Sequence, residues 1–383
     1  MAAAYKIPGI YREDVYVRPV APLPTGVPGF IGFGQTTGGP ILLHRAEDLA
    51  GSFNMPAGVD GYLADAVAGF FANGGVRCYV VGASATGDRE RALQDAFDLL
   101  GPLTDLDLVA VPDAMILPED AAQRVQSAAI AHCSVHGNRF AILDAPGGKD
   151  PGNPDVVEAL KTWRRALMLG RAQPANAALY YPWVKVPSAD IVSGRSVPPC
   201  GHVAGIFARS DARVGVFKAP ANEGLVGVLD LEFLIDASVQ ENLNPEGINC
   251  LRAFPGRGLR VWGARTLSPD PNWLYINVRR LFLTLARWID RNMGWAAFEA
   301  NTPRLWIRIQ RELNVYLGQL WQAGALKGAS AAEAFYVKCD SETNPAEERD
   351  AGRVTTEIGL APALPAEFVV VRIIHRPGAA QLS

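Results

Sequence analysis

The sequence predicts an α/β domain followed by a smaller α+β domain, with extended arms at both ends of the chain. Three observations carry that expectation. From residue 30 to about 186, short apolar runs alternate with amphipathic helical segments, the signature of βαβ units. After about residue 188 the chain turns rich in Gly and Pro, and two long amphipathic helices then follow at 277–293 and 303–322. The first 28 residues hold Pro8, Gly9, Pro19, Pro22, Pro24, Gly26 and Pro28, a density that suits neither a helix interior nor a central strand.

The opening stretch, 1–28, therefore reads as an arm, with strand-like patches at Ile10, Tyr11 and at Val15, Tyr16, Val17. Fully stretched it would reach on the order of 90 Å. In the α/β region the predicted strands are 30–34, 76–82, 106–111, 139–143 and 178–184, with helices between them. At 155–169 the residues Val156, Leu160, Trp163 and Leu167 recur at helical spacing. Asn153 can cap that helix, Pro154 suits its first position and Gly170 stops it. Tyr62, Ala66, Phe70 and Asn73 line one face of another helix before the Gly74-Gly75 break. From about 188, Gly194, Pro198, Pro199, Gly201 and Gly205 read as a connecting β and loop region.

The run NPEGINCLRAFPGRGLRVWGARTL (244–267) reads as two strands hinged on Pro255-Gly256-Arg257-Gly258. The helices at 277–293 and 303–322, separated by the strand-like WAAFEA (295–300), are expected to form the core of the second domain. Segments 334–338, 353–358 and 368–374 add strands. The last holds Phe368, Val369, Val370, Val371, Arg372, Ile373 and Ile374, so both of its faces want burial and its edges want partners. The expected divisions are 1–28, 29–261, 262–365 and 366–383.

With 383 residues, 49% hydrophobic and 20% charged, the chain is long enough for two or three domains with cores of their own. Its 36 basic and 39 acidic residues leave a net charge of −3. That balance gives no global basic field for phosphate contacts, so nucleic acid is not an expected partner. No apolar window is long enough for membrane insertion and the first residues lack a signal-peptide core, so the chain is expected to stay in the cytoplasm. Cys78, Cys133, Cys200, Cys250 and Cys339 include no C-x-x-C pair, which argues against a disulfide framework or a four-thiolate zinc site.

Candidate chemistry is sparse. His132 and His136 share a helix face at i, i+4, as two metal ligands can, but no acid lies between them to act as a base. The run GFIGFGQTTGG (29–39) has no G-K-S/T and lacks the third glycine of a dinucleotide fingerprint, so it reads as a turn between arm and domain. There is no G-x-S-x-G elbow, and Asp211, Glu223, Asp230 and Glu232 read as surface or salt-bridge acids. No catalytic, cofactor-binding or metal residue is assigned. The rival class is an α/β enzyme with a nucleotide or metal cofactor, resting on the βαβ middle and the histidine pair. Two basic helix faces remain, Arg280/Arg287/Arg291 and Arg304/Arg308/Arg311, each opposite an apolar stripe. Each is either a solvated face or a docking face for an acidic partner.

The phrases GHVAGIFARSDARVGVFKAPANE (201–223), LNPEGIN (243–249), FPGRGLRVWGARTL (254–267), YINVRRLF (275–282) and DAGRVTTEIGLAPALPAEFVVVRI (350–373) resemble the tail sheath protein of contractile phages and related contractile injection systems. IPGIYREDV (7–15) resembles that family's N-terminal arm, and 36–198 looks like its variable outer domain. The resemblance implies a structural subunit, not an enzyme, that stacks with copies of itself in six-fold rings around an inner tube, between a baseplate and a terminal cap. Contraction would drive the tube through a target envelope. It further implies a phage tail or phage-like particle, no cofactor, and an acidic inner tube facing Arg280, Arg287, Arg291, Arg304, Arg308 or Arg311. The strand patches at 10–11, 15–17 and 368–374 are expected to add to the C-terminal domains of neighbouring subunits, which would satisfy their backbone groups.

Overall fold

The computed structural model describes residues 23–35, 39–56, 58–168, 173–188 and 193–367. The strand-addition residues Ile10, Tyr11, Val15, Tyr16, Val17 and 368–374 lie outside that set, as does Gly170. The main elements in chain order are β1 (Pro28–Phe33), β2 (Ile41–Leu43), α1 (Leu63–Ala72), β3 (Cys78–Ala83), β4 (Leu108–Ala110), α2 (Glu119–His136), β5 (Phe140–Asp144), α3 (Pro154–Leu167), β6 (Ala177–Tyr181), α4 (Cys200–Arg213), β7 (Glu223–Gly224), β8 (Ile248–Phe254), β9 (Gly258–Val261), α5 (Ile276–Asn292), α6 (Pro303–Gln322), β10 (Phe335–Lys338) and β11 (Glu357–Leu360).

Strands β1 to β9 form one sheet in the order β2-β3-β1-β4-β5-β6-β8-β9-β7. Its centre, β3 to β8, is parallel, and the edge pairings β2-β3, β8-β9 and β9-β7 are antiparallel. Parallel strands need both faces covered, and the sequence supplies apolar side chains on both. Phe30, Phe140, Ile142, Ala178 and Tyr180 point to one face with α1 and α4. Ile31, Phe33, Ala141, Leu143, Leu179 and Tyr181 point to the other with α2 and α3. The expected strands thus appear, although Pro182 divides the predicted 178–184 run into β6 and a short strand, Val184–Val186. The cap on α3 is as expected: Asn153 accepts from Asp155 N at 2.9 Å and Pro154 opens the helix. The hairpin β8-β9 turns at Gly256 and Gly258, both with φ near +70°, which a side chain would strain.

The predicted connecting region after 188 is in part a helix. Gly201 and Gly205, read as breakers, lie inside α4, where they let its backbone lie against α1. A Cβ on Gly201 would sit 2.2 Å from Ala66 O, and one on Gly205 would sit 2.4 Å from Phe70 O. Spacing at i, i+4 puts both on one face, so the packing outweighs their poor helix propensity. WAAFEA forms a 3-10 turn, Gly294–Ala296, and no strand. Helix α6 has the expected bounds. Helix α5 is shared: Ile276 and Leu283 join the sheet core, while Trp288 and Ile289 pack with α6, β10 and β11.

At the C-terminal end of β5, Asp144 is 1% exposed and accepts from Cys200 N, at the start of α4, at 2.9 Å. Burial pushes its carboxyl up to about 7. A folded-state pKa above the unfolded value adds stability that is complete below the unfolded pKa of about 3.9 and is lost as pH rises through the folded one. The protein is therefore expected to lose stability between about pH 4 and 7, by at most about 1.4 kcal/mol per pH unit from this group. Asp144→Asn should flatten that slope in urea titrations at several pH values; an unchanged slope would overturn the assignment.

Candidate interaction sites

The described chain is held by ionic anchors near both of its ends. At the N-terminal side, Asp107 Oδ1 accepts from Val27 N at 2.7 Å and Oδ2 from Gly26 N at 3.1 Å. Gly26 has φ +69° and a Cβ there would meet Ala208 Cα at 2.5 Å, so the approach requires glycine. Arg280 on α5 donates to Asp107 at 3.0 Å and in a fork to Asp211 on α4 at 2.8 and 2.5 Å. Arg287, two turns further along the same face of α5, donates to Pro24 O at 2.8 Å.

Burial works against the Arg280 charge, but the Asp211 and Asp107 carboxylates outweigh it and hold its pKa above the ordinary value. Arg280 and Arg287 are only 2% and 3% exposed. This corrects the expectation for the Arg280/Arg287/Arg291 face. Two of its three members are internal ties between α5, the sheet and the first described residues, and only Arg291 is exposed.

At the C-terminal side, Glu367 accepts from Arg265 Nε and Nη2 at 3.0 and 2.7 Å, from Asn244 Nδ2 at 2.8 Å and from Tyr275 OH at 3.3 Å. Burial alone would raise the Glu367 carboxyl; the bonds from Arg265 and Asn244 outweigh it and hold the pKa below the usual range. Arg265 and Tyr275 face each other in an antiparallel bridge, flanked by Thr266 N to Leu274 O at 2.8 Å and Ile276 N to Ala264 O at 3.0 Å. Asn249, fully buried on β8, clasps the Arg265 backbone, donating to its O and accepting from its N, both at 2.8 Å. Gly263 makes room, since a Cβ there would sit 2.7 Å from Asn249 Oδ1.

Two further surfaces stand out. β10 and β11 form a two-stranded antiparallel sheet with no third strand among the described residues. One face packs on α6 through Val337 and Ile358, while Tyr336 is exposed. On α6, Leu305, Trp306, Ile309 and Leu313 are buried. Arg304, Arg308 and Arg311 are exposed along the opposite side together with Ile307 and Val315. Arg308 lies 3.6 Å over the Trp295 ring and 3.5 Å from Glu312; Arg304 and Arg311 have no ion-pair partner among the described residues.

The features behind the enzyme alternative have structural employment. His132 accepts from Arg139 at 2.8 Å, and burial with that neighbouring cation holds its pKa down to about 3. Among the described residues no group of three or more His, Cys, Asp or Glu could hold a metal. Asp211 is taken by Arg280, and Glu223 by Arg209, Arg213 and Lys218. Glu232 accepts from Gly148 N at 3.0 Å. Of the anchors, Asp211 was read from sequence only as a surface or salt-bridge acid, and Asp107, Asn244, Arg265, Tyr275 and Glu367 were not singled out. Their signal was indirect, because all but Asp107 fall within the phrases that resemble tail sheath proteins or directly adjoin one.

Comparison with known proteins decides the family. The model for the phage tail sheath protein central domain matches residues 105–267, and that for the phage tail sheath C-terminal domain matches 268–376. This chain belongs to the contractile tail sheath family. The sheath subunit is 25% identical over 263 residues, 67% of its length, to a Pseudomonas aeruginosa chain named as a prophage major tail sheath protein, of which it spans 63%. It matches a chain of the anti-feeding prophage baseplate at 32% identity and TM-score 0.78, over 97% of this chain and 100% of that one. A chain of the PVC sheath complex in the contracted state, from an extracellular contractile injection system, matches at 28% identity and TM-score 0.76, over 98% and 99%. The family match reaches back to residue 105, well into the middle region where the sequence carried no recognisable phrases.

Proposed function

We propose that this sheath subunit polymerises as stacked six-fold rings around an inner tube, between a baseplate and a terminal cap, and that its contraction drives the tube through a target envelope. No cofactor or catalysis is required: subunits exchange one set of contacts for a larger one, and the bistability sits in their interfaces. The observation that carries the reading is the pairing of two anchored arm exits with a two-stranded sheet whose outer edges have no described backbone partner. Such a sheet is marginal alone and offers an edge for strand addition. In this reading residues 1–28 are an N-terminal arm, 29–261 an outer domain, 262–365 an inner domain and 366–383 a C-terminal strand and tail. The patches at 10–11, 15–17 and 368–374 add to neighbours, and assembly takes place in the cytoplasm. The face toward the tube is α6, through Arg304, Arg308 and Arg311, with Arg291 as the exposed remnant of the other cluster.

Assembly in the presence of the tube protein, viewed by electron microscopy, tests this. Subunits lacking residues 1–19, or everything after Pro365, are expected to keep a folded sheet domain yet form no long sheaths. The variant Arg304→Glu/Arg308→Glu/Arg311→Glu should assemble but let go of the tube, since each exposed pair contributes only roughly 0.2–1 kcal/mol. Normal contractile sheaths from either truncation would overturn the strand exchange. Retention of the tube by the triple variant at raised salt would overturn the α6 assignment.

A further inference from the structure

We infer that Asn244, Arg265 and Tyr275 form a clamp whose function is to hold Glu367, and so to fix the point and direction at which the C-terminal strand leaves the subunit for its neighbour. The inference rests on the strand-exchange reading above. The four residues come from four separate stretches: Asn244 follows the helix Ala237–Leu243, Arg265 lies after β9, Tyr275 immediately precedes α5 and Glu367 ends the described chain. No local rule of folding brings them together.

The last described residues have little else to hold them. Ala363 N donates to Ala325 O at 3.0 Å. Beyond it, among the described residues, the only hydrogen bonds of 364–367 are those to the Glu367 carboxylate. Leu364 is half exposed. Pro365, Ala366 and Glu367 form one wall of an open cavity of about 720 Å³ whose other walls include Gln240, Arg252 and Trp262. The chain therefore crosses the edge of a cavity, tethered at one side chain.

The tether is built for direction more than for bulk stability. A planar guanidinium forking onto a carboxylate fixes the orientation of both groups. Asn244 and Tyr275 approach the same carboxylate, Asn244 and Arg265 sharing one oxygen and Tyr275 and Arg265 the other. Behind the fork, Asn249 pins the Arg265 backbone on both its N–H and its C=O, so the clamp is referenced to β8 and through it to the whole sheet. A rotation of the sheet domain is then passed to the root of the strand that a neighbour holds. Arg265, Asn244 and Tyr275 are positioning residues for that exchange.

The test compares Glu367→Ala, Glu367→Gln, Arg265→Ala and a subunit lacking 368–383, each for thermal unfolding of the free subunit and for its critical concentration of polymerisation. Glu367→Ala and Arg265→Ala are expected to melt with the parent but to need roughly tenfold more subunit to polymerise, the scale of one lost charge-assisted bond. Glu367→Gln, which keeps acceptor and donor groups for Asn244 and Tyr275, should fall between. The truncated subunit should not polymerise into long sheaths at all. If both alanine variants polymerise like the parent while the truncated subunit does not, strand exchange stands and the clamp is refuted. If the alanine variants lose assembly only in step with a lowered melting temperature, the clamp is a fold contact and the inference is equally refuted. Normal sheaths from the truncated subunit would remove the underlying reading and the clamp with it.

Discussion

Arg280→Ala is expected to destabilise the subunit by about 3–5 kcal/mol, the cost of removing one partner from a buried ion pair and leaving the other charges uncompensated. The guanidinium lies 4.9 Å over the Phe207 ring and bonds both Asp211 and Asp107, with all three charged side chains nearly inaccessible. Without it, Asp211 is stranded against the sheet core. Asp107 keeps its bonds from Gly26 and Val27 and the Arg287 guanidinium 3.9 Å away, but loses its hydrogen-bonded cation, so the chain at Gly26 and Val27 should loosen at the same time. Urea unfolding measures the first effect. Hydrogen exchange at Gly26 and Val27 measures the second. The pair Arg280→Met/Asp211→Asn should recover much of the loss, because removing both charges costs far less than removing one. A single Arg280→Ala variant within about 1 kcal/mol of the parent would show that the network contributes little.

That network also marks a limit of reading the sequence. The spacing of Arg280, Arg287 and Arg291 established a basic helix face, but periodicity cannot tell water from an acid-lined protein surface on that side. Helix α5 is covered on two sides, by the sheet through Ile276 and Leu283 and by α6 through Trp288 and Ile289. For α6, covered on one side, the same reasoning put Trp306, Ile309, Leu313 and Leu317 on the apolar stripe, and these are buried, while Arg304, Arg308 and Arg311 on the other face are exposed. The parallel strands were legible because each apolar run ends in turn residues and fills both faces of the sheet. β2, only three residues long, carried too little pattern to be found. The helix α4 was hidden because glycine has two opposite uses, as a breaker and as a spacer between close helices, and only the partner helix decides which applies. The Glu367 clamp was invisible for a further reason: its members are far apart in the chain, and none has an unusual neighbourhood. What the sequence did carry there was wording, since LNPEGIN, WGARTL and YINVRR each contribute one ligand to that carboxylate.

Substituting alanine for glycine at two helix positions should give opposite signs. Gly318, inside α6, has no atom within 4 Å of the place its Cβ would take. Gly318→Ala therefore gains helix propensity with nothing to displace, and should stabilise by up to about 1 kcal/mol. At Gly201 the added Cβ would lie 2.2 Å from Ala66 O and 2.4 Å from Ala66 Cα, and both are helix backbone that no rotamer change can clear. The same propensity gain is then outweighed by overpacking, and Gly201→Ala should cost about 3 kcal/mol, the upper end for a tightly packed core. Gly201→Val should cost more. The displacement has far to travel, because Val203, Ala204, Ile206 and Phe207 on α4 are fully buried against the sheet. Cys200 N holds Asp144, and Asp211 holds Arg280. Pushing α4 outward would thus unseat Gly26 and Val27 as well as the core. From the other side, Gly69 on α1 has the His202 ring 2.5 Å from its would-be Cβ, so glycines on both helices make room for the close approach. Urea unfolding of Gly201→Ala and Gly318→Ala side by side settles the point. Equal and favourable shifts for both would mean that α4 and α1 are not in the close contact described, and that the glycines are there for some other reason than space.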